Sequence, residues 1–405
     1  MRKRLILAGG GHAHLHTLSR LDLFDAAGID VTCVAPAPHL AYSGMGPGML
    51  SGRYAPDELR FDIEAMSGRG GGKMPPAAGG DHPPRTPWTG KVGAAGGKDS
   101  PGFVRGEVVR VMPEERRLVL EDGRELAYDA VSFGLGSRVV VPFPVEASPR
   151  TAVFPVKPIE NLLAARQRIE SLAEAGEPVR VLVAGGGSSG FEVAANALGL
   201  LASCGVKKPL VAVVAGRGLL CGWPARARLL AIRSLRRRGA RIVCGRVVGL
   251  SGGRAEISSG AHESCDVLLV ATGTRPPELF SRCGLALAPD GGLTVNAFLQ
   301  SPIHPEIFGG GDCIQFGPKE LPRAGVYAVR QGPILCANLL ACLTGGKRMP
   351  FRQTGTNFLA LLNCGDGRAI LRKDPFVFEG KWCMALKDWI DRGFIQSFPP
   401  RLPPA

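Results

Sequence analysis

Short apolar runs that end in clustered glycines recur along this chain. Val181-Leu182-Val183-Ala184 is made of small and β-branched residues, and Gly185, Gly187 and Gly190 follow it at G-x-G-x-x-G spacing. The pattern predicts a buried strand, a tight turn and a helix that begins near Ser188. The first glycine permits the bend, the second lets a pyrophosphate approach the backbone, and the third lets helix and strand pack closely while the helix N-terminus faces the phosphates. A near copy opens the chain: Leu5-Ile6-Leu7-Ala8-Gly9-Gly10-Gly11-His12-Ala13-His14. Two dinucleotide folds about 175 residues apart suggest two nucleotides, and therefore electron transfer between them.

The pattern around the first turn predicts a strand over Arg4 to Ala8, a helix over Ala13 to Ala27 and a strand over Asp30 to Ala35. That second strand ends in Ala35-Pro36, where such a site usually offers an acid to the ribose hydroxyls. Tyr42 to Gly48 is a loop rich enough in glycine and proline to bring backbone close to a ligand. Residues 66–101 lose apolar periodicity and read as a disordered insertion, with a basic binding arm as the alternative. A β-meander follows, Phe103 to Val111 and Arg117 to Glu121 with the Asp122-Gly123 turn, and Tyr128 to Ser137 returns as a buried strand ending in glycines. The first unit then closes near residue 150.

Beyond it, Phe154 to Pro158 reads as a hinge and Ile159 to Ala175 as the helix leading to the second turn. The strand Leu210 to Ala215 ends in Ala215-Gly216-Arg217, again without an acid. Arg217 there either accepts a 2′-phosphate, favouring NADPH, or is simply solvated. The helix Ala225 to Arg238 carries Arg226, Arg233 and Arg237 on one side, read as a solvated face or as a phosphate or lipid contact. A smaller meander, Arg241 to Ser258, precedes Cys265 to Pro276, whose Ala271-Thr272-Gly273 ending mirrors the strand that ends at Gly136.

Composition narrows the class. At 405 residues the chain exceeds one ordinary core, and its 45% hydrophobic content fits a globular protein of two or three domains. No run of about 18 apolar residues stands out, and Met1-Arg2-Lys3-Arg4 leads directly into the first strand, so neither a spanning helix nor export is expected. The expected location is cytoplasmic, or peripheral on the inner face of a membrane. Eleven cysteines occur without a Cys-x-x-Cys pair, as reduced, packed thiols would. The net charge of +14 fits an anionic partner in general, but no nucleic-acid motif accompanies it.

One further string makes the order of motifs specific. Ile307-Phe308-Gly309-Gly310-Gly311-Asp312-Cys313 is a strand ending in Gly-Asp, which sets a carboxylate beside a backbone turn, suited to accept from a sugar-alcohol hydroxyl. With the two glycine turns and the Ala-Thr-Gly strand before it, the chain resembles the two-dinucleotide flavoproteins of the pyridine nucleotide-disulfide oxidoreductase superfamily. The cysteine pair of the disulfide reductases has no counterpart at Tyr42 to Gly48. The chain looks instead like type II NADH dehydrogenases. It resembles more closely the flavoprotein domain found fused to selenide, water dikinase, through Gly9 to His14, Tyr42-Ser43-Gly44-Met45, Val156-Lys157-Pro158-Ile159 and Ala324 to Pro333.

The resemblance implies an α/β fold of two interleaved Rossmann-like dinucleotide-binding domains, each with a β-meander, and a C-terminal α+β segment. Residues 1–150 and 277–343 would form the FAD domain, 151–276 the NAD(P)H domain, and 344–405 the C-terminal segment. FAD contacts are expected from Gly9, Gly11, His12, Ala13, Ser43, Gly44, Gly136, Lys157, Asp312, Gly325, Val326 and Gln331, with Lys157 either touching flavin or anchoring the hinge. NADH or NADPH is expected at Gly185, Gly187, Ser188, Gly190, Glu192, Arg217, Thr272 and Gly273. Ala328, Arg330 and Gln331 fall where the type II dehydrogenases place their flavin and quinone path. A helix starting near Val326 would aim its positive end at the flavin's N1–C2=O edge.

Two other patterns bear on function. His12, His14 and His16 alternate, so only His12 and His16 share a helical face, too few for a metal site, and His14 is expected to line the flavin pocket. Lys381 to Phe394 places Trp382, Leu386, Trp389, Ile390 and Phe394 on one stripe, with Lys387, Asp388, Asp391 and Arg392 away from it. The stripe is expected to pack on its own domain, the alternative being a monotopic membrane contact. The resulting expectation is an FAD-dependent NAD(P)H oxidoreductase with a quinone acceptor and no side-chain catalyst. The alternatives are a soluble reductase of a sulfur or selenium compound, or a flavin-binding regulatory protein whose NAD(P)H site has decayed. A homodimer is left open.

Overall fold

The computed structural model describes residues 2–68, 102–146, 148–149, 151–352 and 357–400. Two five-stranded parallel sheets dominate it. The first runs, edge to edge, Ile307–Gly309, Ala130–Phe133, Lys3–Ala8, Ile29–Ala35 and Phe103–Arg105. The second runs Ala152–Pro155, Val267–Val270, Arg180–Ala184, Leu210–Ala215 and Arg241–Cys244. In both, the strand that enters the glycine turn is central, with Leu5 opposite Val31 and Ala130, and Val181 opposite Val211 and Val267. Strands covered on both faces need continuous apolar runs, and Leu5, Leu7, Val183 and Leu269 are wholly buried. Each such side chain contributes about 1.5–3 kcal/mol of burial.

The β-rich connections sort differently from the sequence pattern. Phe103 to Val111 is two strands broken at Gly106: Phe103–Arg105 extends the first parallel sheet, and Val108–Met112 joins Arg117–Leu120 and Glu125–Ala127 in an antiparallel meander. Likewise Arg241–Cys244 is the edge of the second parallel sheet, and the second meander is Val247–Ser251, Arg254–Ile257 and His262–Ser264. The first two residues expected as a hinge, Phe154 and Pro155, end the edge strand Ala152–Pro155. The helix expected over Ala13 to Ala27 is two short ones, Leu15–Ser19 and Leu21–Ala26, because Arg20 leaves helical geometry (φ −122°, ψ 29°).

The expected insertion begins too early at residue 66: Met66 and Ser67 are buried in the short helix Ile63–Ser67, which is capped by Asp62. The remainder of that stretch, from residue 69 to 101, lies outside the described residues. The helix Gly325–Thr344 is long and apolar enough to cross a membrane by length and composition alone, but Leu335, Asn338 and Leu339 are buried in the core. The C-terminal segment is a three-stranded antiparallel sheet, Ala360–Asn363, Ala369–Lys373 and Phe376–Gly380, followed by the helix Lys381–Gln396.

Candidate functional site

At the first glycine turn the chain passes close beneath its neighbouring strand. Gly11 N donates to Gly134 O at 3.0 Å, and a Cβ at Gly11 would stand 2.2 Å from that oxygen. His14 occupies the place of the third glycine and turns inward instead of lining a pocket. Its Nδ1 meets Gly9 O at 2.6 Å, its Nε2 meets Ser132 Oγ at 2.8 Å, and none of it is exposed. Burial holds its imidazole down at about 4, so it is neutral. The ring replaces close helix–strand packing with a hydrogen-bonded bridge from the turn to the next strand. His12 differs: its Nε2 is shielded but unpartnered, and burial, reinforced by the charge of Lys157, lowers it to about 4. Among the described residues, no three His, Cys, Asp or Glu side chains are grouped so as to hold a metal ion.

Asp312 is the polar centre of the first half. Its Oδ2 accepts from Lys157 Nζ and from Ser137 Oγ, each at 2.8 Å. Burial opposes its ionisation, but Lys157 and Ser137 overcome this and hold the carboxyl below its ordinary value. Lys157 thus ties the segment before the second half to Ser137 and Asp312 of the first. Gln331, buried on the helix Gly325–Thr344, accepts from Gly311 N through Oε1 at 2.7 Å, and Ala328 lies under Gly311. Arg330 points to an exposed face of the same helix and is not brought into this group. Ser43 faces the helix start, its Oγ 3.7 Å from the Cβ position of Gly325.

The second glycine turn repeats the first more strictly. Gly185 has φ +129°, and a Cβ on it would stand 2.2 Å from Ala271 O. A Cβ on Gly190 would stand 1.9 Å from Gly185 O, so helix and turn are in backbone contact there. Gly187 caps the helix Ser188–Ser203 with no protein atom within 4 Å of its Cβ position. Thr272 and Gly273, at the end of the adjacent strand, are exposed, and Gly136 holds the equivalent place in the first half, also with open space before it. Two turns pressed against neighbouring backbone and open in front fit the pyrophosphates of two dinucleotides.

The C-terminal helix departs in part from the expected orientation: Leu386 and Phe394 of the apolar stripe pack on the core, but the two tryptophans do not. Lys387 and Asp391 face inward, each 7% exposed, whereas Trp382 and Trp389 are 54% and 75% exposed. Lys387 and Asp391 are tolerated inside because each is answered by a partner. Lys387 Nζ donates to Asp391 Oδ2 at 2.6 Å and to Gly44 O at 2.8 Å, and Tyr42 OH donates to Asp391 Oδ1 at 3.2 Å. Asp388 pairs with Arg53 and Tyr54, and Arg392 with Glu58. The end of the helix adds Phe394 to an aromatic cluster with His12, Tyr42, Phe61 and Phe398. Sequence reasoning missed Tyr42, Ser137, Lys387 and Asp391 as site residues. For the last two the signal was an opposite-charge i,i+4 pair, which also marks a solvated face.

Glu192 joins the second half to the C-terminal sheet. It sits one turn into the helix behind the second glycine turn, and its Oε1 accepts from Asn363 N at 2.8 Å. Burial pushes its carboxyl up to about 7 against the lowering pull of Lys387. A group near neutrality therefore stands beside the Lys387–Asp391 pair, where the loop at Gly44 and the aromatic cluster meet. Arg217 is exposed at the end of Leu210–Ala215, away from this centre.

The comparisons agree with this geometry. A family model described as pyridine nucleotide-disulphide oxidoreductase matches residues 3–332. Ferroptosis suppressor protein 1 of Xenopus tropicalis is 23% identical over 284 residues, 65% of this chain and 70% of that protein. The sulfide:quinone oxidoreductase of Aquifex aeolicus shares the fold with a TM-score of 0.73 at 15% identity, over 98% of this chain and 92% of that one. NDH2 of Plasmodium falciparum, solved in complex with NADH, gives a TM-score of 0.73 at 13% identity over 99% of both chains. The chain belongs to the pyridine nucleotide-disulphide oxidoreductase family, and is a flavoprotein oxidoreductase with FAD and NAD(P)H as its cofactors.

Proposed function

We propose that this protein is an FAD-dependent NAD(P)H dehydrogenase that passes its electrons to a small-molecule acceptor of the quinone type. The observation that carries this reading is the aromatic wall of His12, Tyr42, Phe61, Phe394 and Phe398 beside the first glycine turn, where the disulfide reductases would need a thiol pair. All eleven cysteines are free. The two flanking the turn, Cys33 and Cys313, are pushed up by burial to about 12 and about 11, which makes them poor relays. FAD bound at the first turn would supply the redox chemistry, taking a hydride from nicotinamide and yielding electrons to the acceptor.

The protein's own part is to position and to manage charge and protons. Asp312, its charge balanced by Lys157, would accept from cofactor hydroxyls. The helix Gly325–Thr344 has no acid in its first turn, so its positive end is free to favour an anionic partner. Reduction of a quinone consumes two protons, and Glu192, its carboxyl pushed up to about 7, is the buried group suited to deliver one.

Trp382, Trp389, Phe376 and Phe378 form an exposed aromatic face, with Phe376 stacked on Phe378 and Phe378 against Trp382. On a chain of net charge +14 this supports a peripheral contact with an anionic membrane, the source of a quinone. The finer likeness to the flavoprotein domain fused to selenide, water dikinase keeps sulfur and selenium acceptors as the second reading.

The test reoxidises the anaerobically reduced protein with a short-chain ubiquinone or menaquinone, and in parallel with polysulfide and selenite. Fast reoxidation by a quinone alone is the expected result. Fast reoxidation by polysulfide or selenite with no response to quinones overturns the acceptor assignment.

A further inference from the structure

Around the end of the strand Leu210–Ala215 the chain gathers positive charge that, among the described residues, forms no ion pair with a carboxylate. The adenosine ribose of a nicotinamide dinucleotide is usually held by an acid at this point, and here the sequence is Ala215-Gly216-Arg217. Arg246, just past the neighbouring strand, runs its side chain within 3.4 Å of the Gly216 Cβ position. From the other side Arg228, on the helix Ala225–Arg236, brings its guanidinium within 3.7 Å of the Gly218 Cβ position. Its Nε is shielded from water without a hydrogen-bond partner. The loop they surround is tied to the second glycine turn, because Leu220 N donates to Gly186 O at 2.6 Å.

Other arginines close by are satisfied: Arg237 pairs with Asp366, and Arg241 with Glu263. Among the described residues, Arg217, Arg228 and Arg246 have no ion pair. Arg228 and Arg246 beside the glycines of this loop, with Arg217 within it next to a pyrophosphate turn, are suited to a phosphate dianion, which guanidiniums bind through paired, charge-assisted hydrogen bonds. The 2′-hydroxyl of NADH would leave them unanswered. We propose that Arg217, Arg246 and Arg228 form a 2′-phosphate site, which makes NADPH the preferred reductant. The inference rests on reading the second glycine turn as the nicotinamide nucleotide site.

The test uses probes with the adenosine end alone, so it does not depend on turnover. The flavin-loaded protein is titrated calorimetrically with 2′,5′-ADP and with 5′-AMP. At moderate salt 2′,5′-ADP should bind about 100-fold more tightly, since each hydrogen bond to a charged group is worth about tenfold or more. Arg217→Gln and Arg246→Gln, both at exposed positions, should each weaken 2′,5′-ADP about tenfold and leave 5′-AMP within about twofold. Equal or absent binding of the two probes, or variants that weaken both alike, would overturn the proposal. Failure of the wider reading looks different: 2′,5′-ADP is then preferred although neither NADPH nor NADH bleaches the flavin.

Discussion

Lys387 Nζ donates at 2.8 Å to the carbonyl oxygen of Gly44, 343 positions earlier in the chain. With its bond to Asp391, this contact sews the C-terminal helix onto the loop that borders the first glycine turn. Removing one member of a buried ion pair strands the other, so Lys387→Met should cost about 3–5 kcal/mol. Replacing both, as Lys387→Met with Asp391→Leu, should recover much of that loss. Denaturant unfolding of the two singles and the double measures the coupling, and additive losses would show that the pair is not a unit.

Restoring the usual glycine at position 14 should weaken the protein. His14→Gly removes a ring bonded to Gly9 O and Ser132 Oγ and leaves both buried groups unpaired. The combined cavity and unmade hydrogen bonds should cost about 3–5 kcal/mol, read as a lower denaturation midpoint at unchanged slope. An unchanged midpoint would mean that the turn does not depend on the bridge.

The glycines of the second turn should separate folding from binding. Gly187→Ala meets no protein atom within 4 Å, so stability should hold within about 0.5 kcal/mol while nucleotide affinity falls. Gly190→Ala would place a Cβ 1.9 Å from Gly185 O and should damage both. Thermal melts with nucleotide titrations tell the two apart. A Gly187→Ala protein that binds nucleotide normally would contradict the assignment of the open face.

The pH dependence of stability should carry two opposed slopes. His12 and His14 are held down at about 4, so each contributes up to about 3 kcal/mol above pH 6.5 that is lost as pH falls toward 4. Glu192 is pushed up to about 7, so its contribution runs the other way, fullest below pH 4.5 and lost as pH rises through 7. Glu192→Gln removes that counter-slope. Stability of the variant should fall more steeply than wild type between pH 6.5 and 4.5, as followed by urea midpoints, and parallel curves would deny Glu192 its raised value.

Trp382 and Trp389 are mostly in water, so the double change to serine should leave the unfolding midpoint nearly unchanged. Sedimentation with anionic vesicles should show the wild type bound and the variant free. Equal binding of both would remove the aromatic face from the membrane contact.

Much of this architecture is legible in the chain because strands buried on both faces must be continuous apolar runs, and glycines in backbone contact leave a fixed spacing. That is why Val181 to Gly190 and Leu5 to Gly11 read directly. Periodicity alone cannot say which face of a helix is inside. In Lys381–Gln396 the aromatic stripe and the charged stripe were equally regular, and the outcome depended on Tyr42, Gly44, Arg53 and Glu58, more than 300 positions away. His14 was visible only as a missing glycine, because its partner Ser132 lies 118 positions on. Arg330 and Gln331 are adjacent in sequence, yet only Gln331 turns toward Gly311, a difference set by helix phase.

The central claim is that both halves act in one electron path, and an anaerobic titration tests it most directly. The flavin-loaded protein is mixed with stoichiometric NADPH, and separately NADH, while absorbance near 450 nm is followed. The flavin should bleach rapidly, faster with NADPH, and recover its oxidised spectrum when a quinone is added. A bound flavin that neither nucleotide bleaches would contradict the account and leave a protein that holds FAD without using it as a dehydrogenase.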